Sequence, residues 1–405
     1  MRFLGAARKV LSRPNIRIIL LSWFSITLVS QAFVQFAPDY MRRLGGTPEL
    51  IGLLNSAVSL VTLFVVIPAG YMADKFGRKS LIVWGLLFSA LPSLINAFAW
   101  CWQLYFIGAV LMAAVQQFFF PAMYAMFQDS TPKDLRALSF SFLDIATWCI
   151  PASIGFLLGG YWYEKLDILA LRIFLIASSF VYISASLFSL KLRETLHAAS
   201  LNVKAMVKMF FLAYSRLRES IEIARNIVVD LLAVDLLIGL YTGFTSGFWL
   251  IYTLDVIGVS RYQWGVLEAS WNILYTVLSP FAAAASDRRG RLKLMLIAPP
   301  ALIALHAMFI SCRGFSQALL VWLLWAIPDA FWYSLFEATW TDAVQAEMRG
   351  RAITLRVTVR SIAQTCSAAA SGFMYSLNSV LPFIAGMAMW ACILIVLLKL
   401  KSTSP

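Results

Sequence analysis

The sequence predicts an all-α polytopic membrane protein with about twelve transmembrane helices. Of its 405 residues, 61% are hydrophobic and only 13% are charged, which leaves too little polar surface for a water-soluble globule. The apolar residues fall in runs of about 18–24, the length that a helix needs to cross a hydrocarbon core. The chain also repeats itself, because one constant offset relates its first half to its second half.

The apolar runs place the spans in order along the chain. Several runs contain proline, which a transmembrane helix tolerates where neighbouring helices satisfy the freed carbonyl groups. The basic opening stretch and the long first run predict a retained first span rather than a removed signal peptide. The predicted spans are residues 16–38, 50–72, 81–99, 104–127, 138–160, 171–190, 229–254, 264–285, 294–311, 317–340, 352–375 and 380–398.

The charge distribution predicts the orientation. Most of the 33 Lys and Arg residues fall in alternate connecting segments, which by the positive-inside rule places both termini in the cytoplasm. We expect a multi-pass protein of the plasma membrane, in contact with the lipid bilayer. The net charge of +13 is then an orientation signal, so no nucleic-acid partner is expected. The five cysteines lack metal-like spacing, so no metal and no cofactor are expected.

The repeat defines the predicted domains. The offset that takes Gly45 to Gly258 also takes Gly52 to Gly265 and continues for some ninety residues without a gap. It implies two six-helix bundles related by a pseudo-twofold axis along the membrane normal. We place these bundles at residues 1–190 and 229–405. Residues 191–228 mix charged and apolar side chains, which predicts a cytoplasmic linker with an amphipathic helix, or alternatively a disordered linker.

The strongest local motif is a loop between spans two and three. It contains Gly70, Asp74, Gly77 and Arg78, and a degenerate copy with Asp287 lies between spans eight and nine. This pattern resembles the signature loop of the major facilitator superfamily. The resemblance covers essentially the whole chain, and it implies a twelve-helix transporter fold but says little about the substrate.

The resemblance also implies a conformational clasp at each copy of the loop. Asp74 is expected to bind the start of span eleven, and Arg78 to pair with Asp129 at the end of span four. In this family such clasps close the cytoplasmic side of the outward-open state. Gly77 permits a tight turn with positive φ. An ordinary positive-inside turn is the alternative. The predicted clasp residues are Gly70, Asp74, Gly77, Arg78, Asp129, Arg136, Asp287, Gly290, Arg291, Asp342 and Arg349.

Polar residues within the spans predict where a solute binds. A charge inside a bilayer costs about 2.5–3.5 kcal/mol on insertion scales and usually faces an interior cavity. In spans one, ten and eleven these residues recur at i+4, so they share one helical face. Spans three, six, nine and twelve lack them, and the resemblance implies that those spans face lipid. The candidate cavity residues are Gln31, Gln35, Asn55, Gln116, Gln117, Asp144, Asp235, Glu268, Asn272, Asp329, Tyr333, Glu337, Arg356, Arg360 and Gln364.

Depth along the helices singles out one pair. Asp329 and Arg360 lie nearest the bilayer midplane, where coupling sites occur, and we expect them to pair. Each charge could instead belong to a structural ion pair. His306 is expected to face lipid or to pack. Gly155 and Gly159 in span five faintly resemble an element of proton-coupled drug antiporters, or they simply allow close helix packing.

The predicted function is that of a secondary transporter, with no catalytic residues. It moves a small organic solute by alternating access, coupled to protons, and acts as a monomer. An uncoupled facilitator is the main alternative, and a non-transporting receptor or sensor is another. Span four lacks arginine, which argues against a standard drug–proton antiporter. The membrane arginines favour an anionic or zwitterionic solute, whereas the carboxylates and tryptophans favour a cationic or amphipathic one.

Overall fold

The computed structural model describes residues 11–132, 139, 143–195, 227–344 and 349–403, and for some of these, Asp74, Asp287 and Arg349 among them, it describes only the backbone. Arg136 and most of the predicted linker lie outside this part. The described chain is helical with no strand, and the predicted all-α membrane fold is confirmed. Its main helices are α1 (Pro14–Val34), α2 (Pro48–Phe76), α3 (Arg78–Ala97), α4 (Trp102–Ser130), α5 (Ile150–Leu166), α6 (Ile168–Ser189), α7 (Ile227–Thr245), α8 (Arg261–Arg289), α9 (Ala298–Ile310), α10 (Phe315–Ala343), α11 (Arg349–Leu377) and α12 (Leu381–Thr403).

Shorter elements join some of these helices. Short α-helices cover Ala37–Arg43, Trp249–Tyr252 and Arg291–Met295, and π-helical turns cover Ile145–Cys149 and Thr253–Ile257. In the described part, ten helical segments are long and apolar enough to cross a membrane. Helices α8 and α11 are not among them, because they carry polar residues that the sequence assigns to the solute pathway.

Helices α1 and α7 end earlier than the predicted spans. Helix α1 ends at Val34, and Ala37–Arg43 forms a separate helix. Pro38 has no N–H to donate to the Val34 carbonyl, which explains this end physically. Helix α7 ends at Thr245, and a turn at 246–248 separates it from Trp249–Tyr252. The single long helices predicted over 16–38 and 229–254 are therefore wrong at their outer ends.

The duplication is visible in the helix bounds and in the turns. The offset predicted from sequence takes Pro48–Phe76 to Arg261–Arg289, and Trp102–Ser130 to Phe315–Ala343. It also takes Gly77, with φ of 84°, to Gly290, with φ of 81°. Side chains with a Cβ rarely adopt this conformation, so glycine is required at both turns.

The first compact unit comprises the described residues of Met1–Tyr40 and Phe64–Ser215. Helix α3 packs against α4 and α6, and α1 packs against α5 and α6. A Cβ at Gly159 would lie 2.3 Å from the Ala32 carbonyl oxygen, so glycine allows α5 to approach α1 closely. The glycines of span five therefore have a packing role. The core of the unit includes Ile19, Leu86, Phe119 and Tyr182.

The second compact unit comprises the described residues of Met41–Leu63 and Arg216–Pro405. Helix α7 packs against α11 and α12, α8 packs against α10, and the first turns of α2 contact α11. A Cβ at Gly52 would lie 2.6 Å from the Ala368 carbonyl oxygen. Arg42, at the end of its short helix, forms an ion pair with Asp255 in this unit. The domain boundaries at 190 and 229 stay a prediction.

The orientation can be tested by labelling single cysteines in a background without the five native ones. Thr47→Cys and Trp100→Cys lie in loops that we expect outside the cell, and Lys191→Cys follows α6 on the expected inner side. A membrane-impermeant maleimide added to intact cells should label the first two variants and not the third. Labelling of Lys191→Cys in sealed cells would contradict the orientation.

Candidate functional site

A cavity of about 160 Å³ lies in the second unit. Its walls come from α7, α8, α10 and the short helix after α7. Five aromatic and two acidic side chains line it: Tyr241, Trp249, Glu268, Trp271, Trp322, Trp325 and Asp329. The structure therefore brings together Glu268 and Asp329, two of the predicted cavity residues.

The two acidic residues are held by reciprocal hydrogen bonds between α8 and α10. Trp271 Nε1 on α8 donates to Asp329 Oδ2 on α10 at 3.2 Å. Trp322 Nε1 on α10 donates to Glu268 Oε1 on α8 at 3.3 Å. Each helix thus contributes one indole and one carboxylate. The four side chains brace α8 against α10 and fix the direction of both carboxylates.

Three indole rings form a corner of the cavity. The Trp249 ring is nearly perpendicular to Trp322, at 86° and 5.7 Å between centroids, and to Trp325, at 85° and 5.2 Å. The break after α7 is what turns Trp249 into this position. His306 is fully buried and packs against Trp325 at 4.5 Å. The expectation that His306 packs is confirmed, and the lipid-facing alternative is wrong.

A four-charge network lies on α7, α10 and α11. Asp235 is fully buried and accepts from Arg356 Nε at 2.9 Å and from Arg360. Arg356 also donates a hydrogen bond from each terminal nitrogen to Glu337, at 2.7 and 2.9 Å, and the two bonds form a bidentate pair. Its guanidinium lies 4.7 Å from the centre of the Trp340 ring. Two cations and two anions balance in this network, and its one fully buried member, Asp235, is paired with both arginines.

The predicted pairing of Asp329 with Arg360 is wrong. Arg360 bonds Asp235, and the indole of Trp271 bonds Asp329. The physical reason is the close packing of α7 on α11: a Cβ at Gly239 would lie 2.4 Å from the Arg360 carbonyl oxygen. That contact places Asp235, one turn before Gly239, against the arginines. The sequence contained this signal, because Asp235, Gly239 and Gly243 follow at i+4 on one face.

Both copies of the loop form the same contact at one end of a neighbouring helix. Arg78 Nη1 donates to the Ala125 carbonyl at 2.8 Å and to Asp129 at the end of α4. Arg291 Nη1 donates to the Ala338 carbonyl at 3.0 Å and to Asp342 at the end of α10. These are the two ion pairs implied by the family resemblance. Their role as clasps stays a prediction, and the side chains of Asp74, Asp287 and Arg349 are outside the described part.

Sequence reasoning missed a cap on the first clasp. Glu194, just after α6, accepts from the backbone N–H of Arg78 at 3.2 Å and of Lys79 at 2.9 Å. A carboxylate at a helix N-terminus satisfies N–H groups that lack partners within the helix. Glu194 is more than a hundred residues from Arg78 and Lys79, so the sequence does not predict this contact. The one available signal was an acidic residue directly after span six.

The remaining candidates do not line the cavity. In the first unit, Gln31 is buried, Asp144 is exposed, and Gln35, Gln116 and Gln117 are half-buried. In the second unit, Asn272 is buried, Asn55 and Gln364 are half-buried, and Tyr333 is exposed. Their place in the pathway stays a prediction. The residues missed were the cavity aromatics Tyr241, Trp249, Trp271 and Trp322. Trp271 could have been found, because it follows Glu268 at i+3 on the same face.

Among the residues that the structure describes, no group of three His, Cys, Asp or Glu side chains could hold a metal ion. The site is thus an aromatic cavity with two carboxylates, beside helices joined by a charge-balanced network.

The sequence matches a model of a known protein family. A family model described as Major Facilitator Superfamily matches residues 18–368, which is most of the chain. The chain belongs to this superfamily. The match confirms the family that the duplicated loop indicated. Together with the helical fold, membership of the Major Facilitator Superfamily supports a membrane transporter and an integral membrane location.

Curated relatives match part of the chain. Multidrug resistance protein 1 of Bacillus subtilis (strain 168) is 26% identical over 181 residues. The match covers 44% of this chain and 45% of the relative. The chain therefore spans less than half the length of that relative in the matched region.

Solved structures of other superfamily transporters share the fold over nearly the whole chain. A POT family transporter in complex with a thioalcohol conjugated peptide gives a TM-score of 0.72 at 10% identity, covering 96% of this chain and 95% of that one. The nucleoside transporter NupG gives 0.70 at 14% identity, covering 96% and 98%. Different solutes are named for one fold, so the fold does not specify the substrate.

Proposed function

We propose that this superfamily member is a secondary transporter of a small organic solute in the plasma membrane, with both termini cytoplasmic, working by alternating access and coupled to protons. The observation that carries the proposal is the cavity in which Glu268 and Asp329 face aromatic walls. The name of the Bacillus relative, a multidrug resistance protein, supports an organic solute.

The arrangement of charges supports proton coupling through the cavity acids. The membrane arginines are engaged by Asp235 and Glu337. Glu268 and Asp329 each accept an indole N–H, and none of the described residues that line the cavity is basic. A carboxylate in such a site can bind a proton when the solute leaves and release it when the solute enters. Protonation of a carboxylate in the four-charge network would leave Arg356 or Arg360 without that ion pair.

The test uses proteoliposomes and a solute selected by a thermal-shift screen, since ligands of the native state raise its apparent stability. Wild-type protein should accumulate the solute in response to an imposed pH gradient. Asp329→Asn should lose that accumulation and keep solute counterflow, because exchange needs no protonation cycle. Glu164→Gln, an exposed acid on α5, is the matched control and should behave as wild type.

Two results would contradict this scheme. Gradient-driven accumulation by Asp329→Asn at the wild-type level would remove the coupling role from this residue. Counterflow by the wild type with no response to a pH gradient would show an uncoupled facilitator.

A further inference from the structure

We propose that the cavity of the second unit selects an organic cation, held by the carboxylates of Glu268 and Asp329 and by the indoles of Trp249, Trp322 and Trp325. The solute class is an amphipathic molecule with a quaternary or protonated nitrogen, or an equivalent onium centre, on an apolar body. This inference rests on the proposed function and names the substrate of that same site.

The first step is the charge of the cavity. Among the residues that the structure describes, its lining carries two carboxylates and no basic side chain. The nearby arginines cannot supply the missing charge, because Asp235 and Glu337 already bind Arg356, and Asp235 also binds Arg360. An acid withdrawn from water needs a counter-charge or a proton. A cationic solute supplies the counter-charge, and protons replace it when the solute leaves.

The second step is the aromatic corner. A cation is attracted to the face of an indole ring, and tryptophan is the strongest partner for this contact. Trp249 stands perpendicular to Trp322 and Trp325, so the rings form walls at right angles rather than one stack. A cationic centre at this corner meets more than one ring. The apolar surface of the same rings accommodates the body of the solute.

The third step is preorganisation. Each carboxylate has one oxygen bound by an indole N–H from the opposite helix, Oδ2 of Asp329 and Oε1 of Glu268. These bonds hold the acids in place before a ligand arrives, which reduces the entropy lost on binding. They also orient the acids along the walls formed by the aromatic rings. The site is therefore built for a positive charge surrounded by apolar groups.

Other classes of solute fit less well. An anion would meet two acids and no available cation among the lining residues. A neutral solute would require both acids to be protonated while it is bound. The cavity volume of about 160 Å³ suits a compact molecule rather than a polymer.

The experiment compares two ions of nearly the same shape and opposite charge. Tetraphenylphosphonium and tetraphenylborate are titrated into the purified full-length protein in detergent and into detergent alone, followed by calorimetry and tryptophan fluorescence. The cation should bind, quench the fluorescence and raise the melting temperature, whereas the anion should do none of these. Equal binding of the two ions, or no binding of the cation, would overturn the inference.

Variants locate the binding. Glu268→Gln combined with Asp329→Asn should weaken tetraphenylphosphonium binding by about tenfold or more, and Trp249→Leu by several-fold. The matched controls are Glu164→Gln and Trp100→Leu, which change exposed residues of the first unit and should bind as wild type. If the acid variants are folded and bind the cation as wild type, the cavity is not its site.

The two proposals can fail separately. Proton-driven transport of an anionic or neutral solute, unchanged in the acid variants, would overturn the substrate class and leave the transporter in place. Binding of tetraphenylphosphonium at the cavity without transport of any solute would overturn the proposed transport and leave the cation site in place.

Discussion

Replacing Asp235 by alanine is expected to destabilise the second unit more than any other single charge removal. Asp235 is fully buried and holds Arg356 and Arg360, so the variant leaves two cations without their shared anion. Breaking a buried ion pair by removing one partner costs about 3–5 kcal/mol. The apparent melting temperature of the purified protein should fall by at least about 5 °C.

The same helix offers a control. Asp230, one turn and a half earlier on α7, pairs with Lys399, whose side chain is 66% exposed. Such surface pairs contribute about 0–1 kcal/mol, so Asp230→Ala should melt close to wild type. Adding Arg360→Met to Asp235→Ala should recover part of the loss, because it removes the cation that has lost its ion pair, whereas Arg356 keeps its pair with Glu337. Equal melting of Asp235→Ala and Asp230→Ala would show that the network does not stabilise the helices.

The second large effect is expected from the two clasps. Arg78 and Arg291 each hold a helix-end carbonyl and a carboxylate, and the resemblance assigns these contacts to the transport cycle. A hydrogen bond to a charged group contributes about 1.5–3 kcal/mol, which corresponds to roughly tenfold or more in a rate that depends on it. Initial transport rates should fall several-fold for Arg78→Gln and more than tenfold when Arg291→Gln is added.

The exposure of the two ion pairs predicts the order of the single variants. The side chain of Arg78 is 12% exposed and that of Arg291 is 32% exposed, so water screens the second pair more. The initial transport rate of Arg78→Gln should therefore be lower than that of Arg291→Gln. Lys293→Gln removes an exposed cation two residues after Arg291 and is the control. If the variant with both arginines replaced transports the solute at the wild-type rate, the clasp role is contradicted, and the basic residues of both loops serve only to orient the protein in the membrane.

The fold was predictable because a bilayer imposes simple rules. Helix length follows from membrane thickness, and the duplication follows from a constant offset, so the order and approximate bounds of the helices were available from sequence. The errors in the prediction concern the ends of individual helices. The predicted spans ran through the ends of α1 at Val34 and α7 at Thr245. The apolar character continues past both points, and hydropathy does not register a change of backbone direction.

The site was less predictable, since spacing along one helix does not give the rotation of its neighbours. The depths of Asp329 and Arg360 were compatible, yet a third helix, α7, supplies the partner of Arg360. Charged residues were found as candidates because charges are rare in membranes. Trp249, Trp271 and Trp322 were not, because an indole is equally common in a core, at an interface and in a binding site.

The ion pair between Arg42 and Asp255 bears on the history of the chain. The two residues occupy the same position in the two repeats, since the offset that takes Gly45 to Gly258 takes Arg42 to Asp255. About a twofold axis, a residue that meets its own counterpart must face an identical side chain. In an ancestor with identical halves, this contact would have joined two identical side chains, which cannot form an ion pair. The attraction became possible only after the copies diverged, and from then on the first and second halves were no longer interchangeable at this end of the protein.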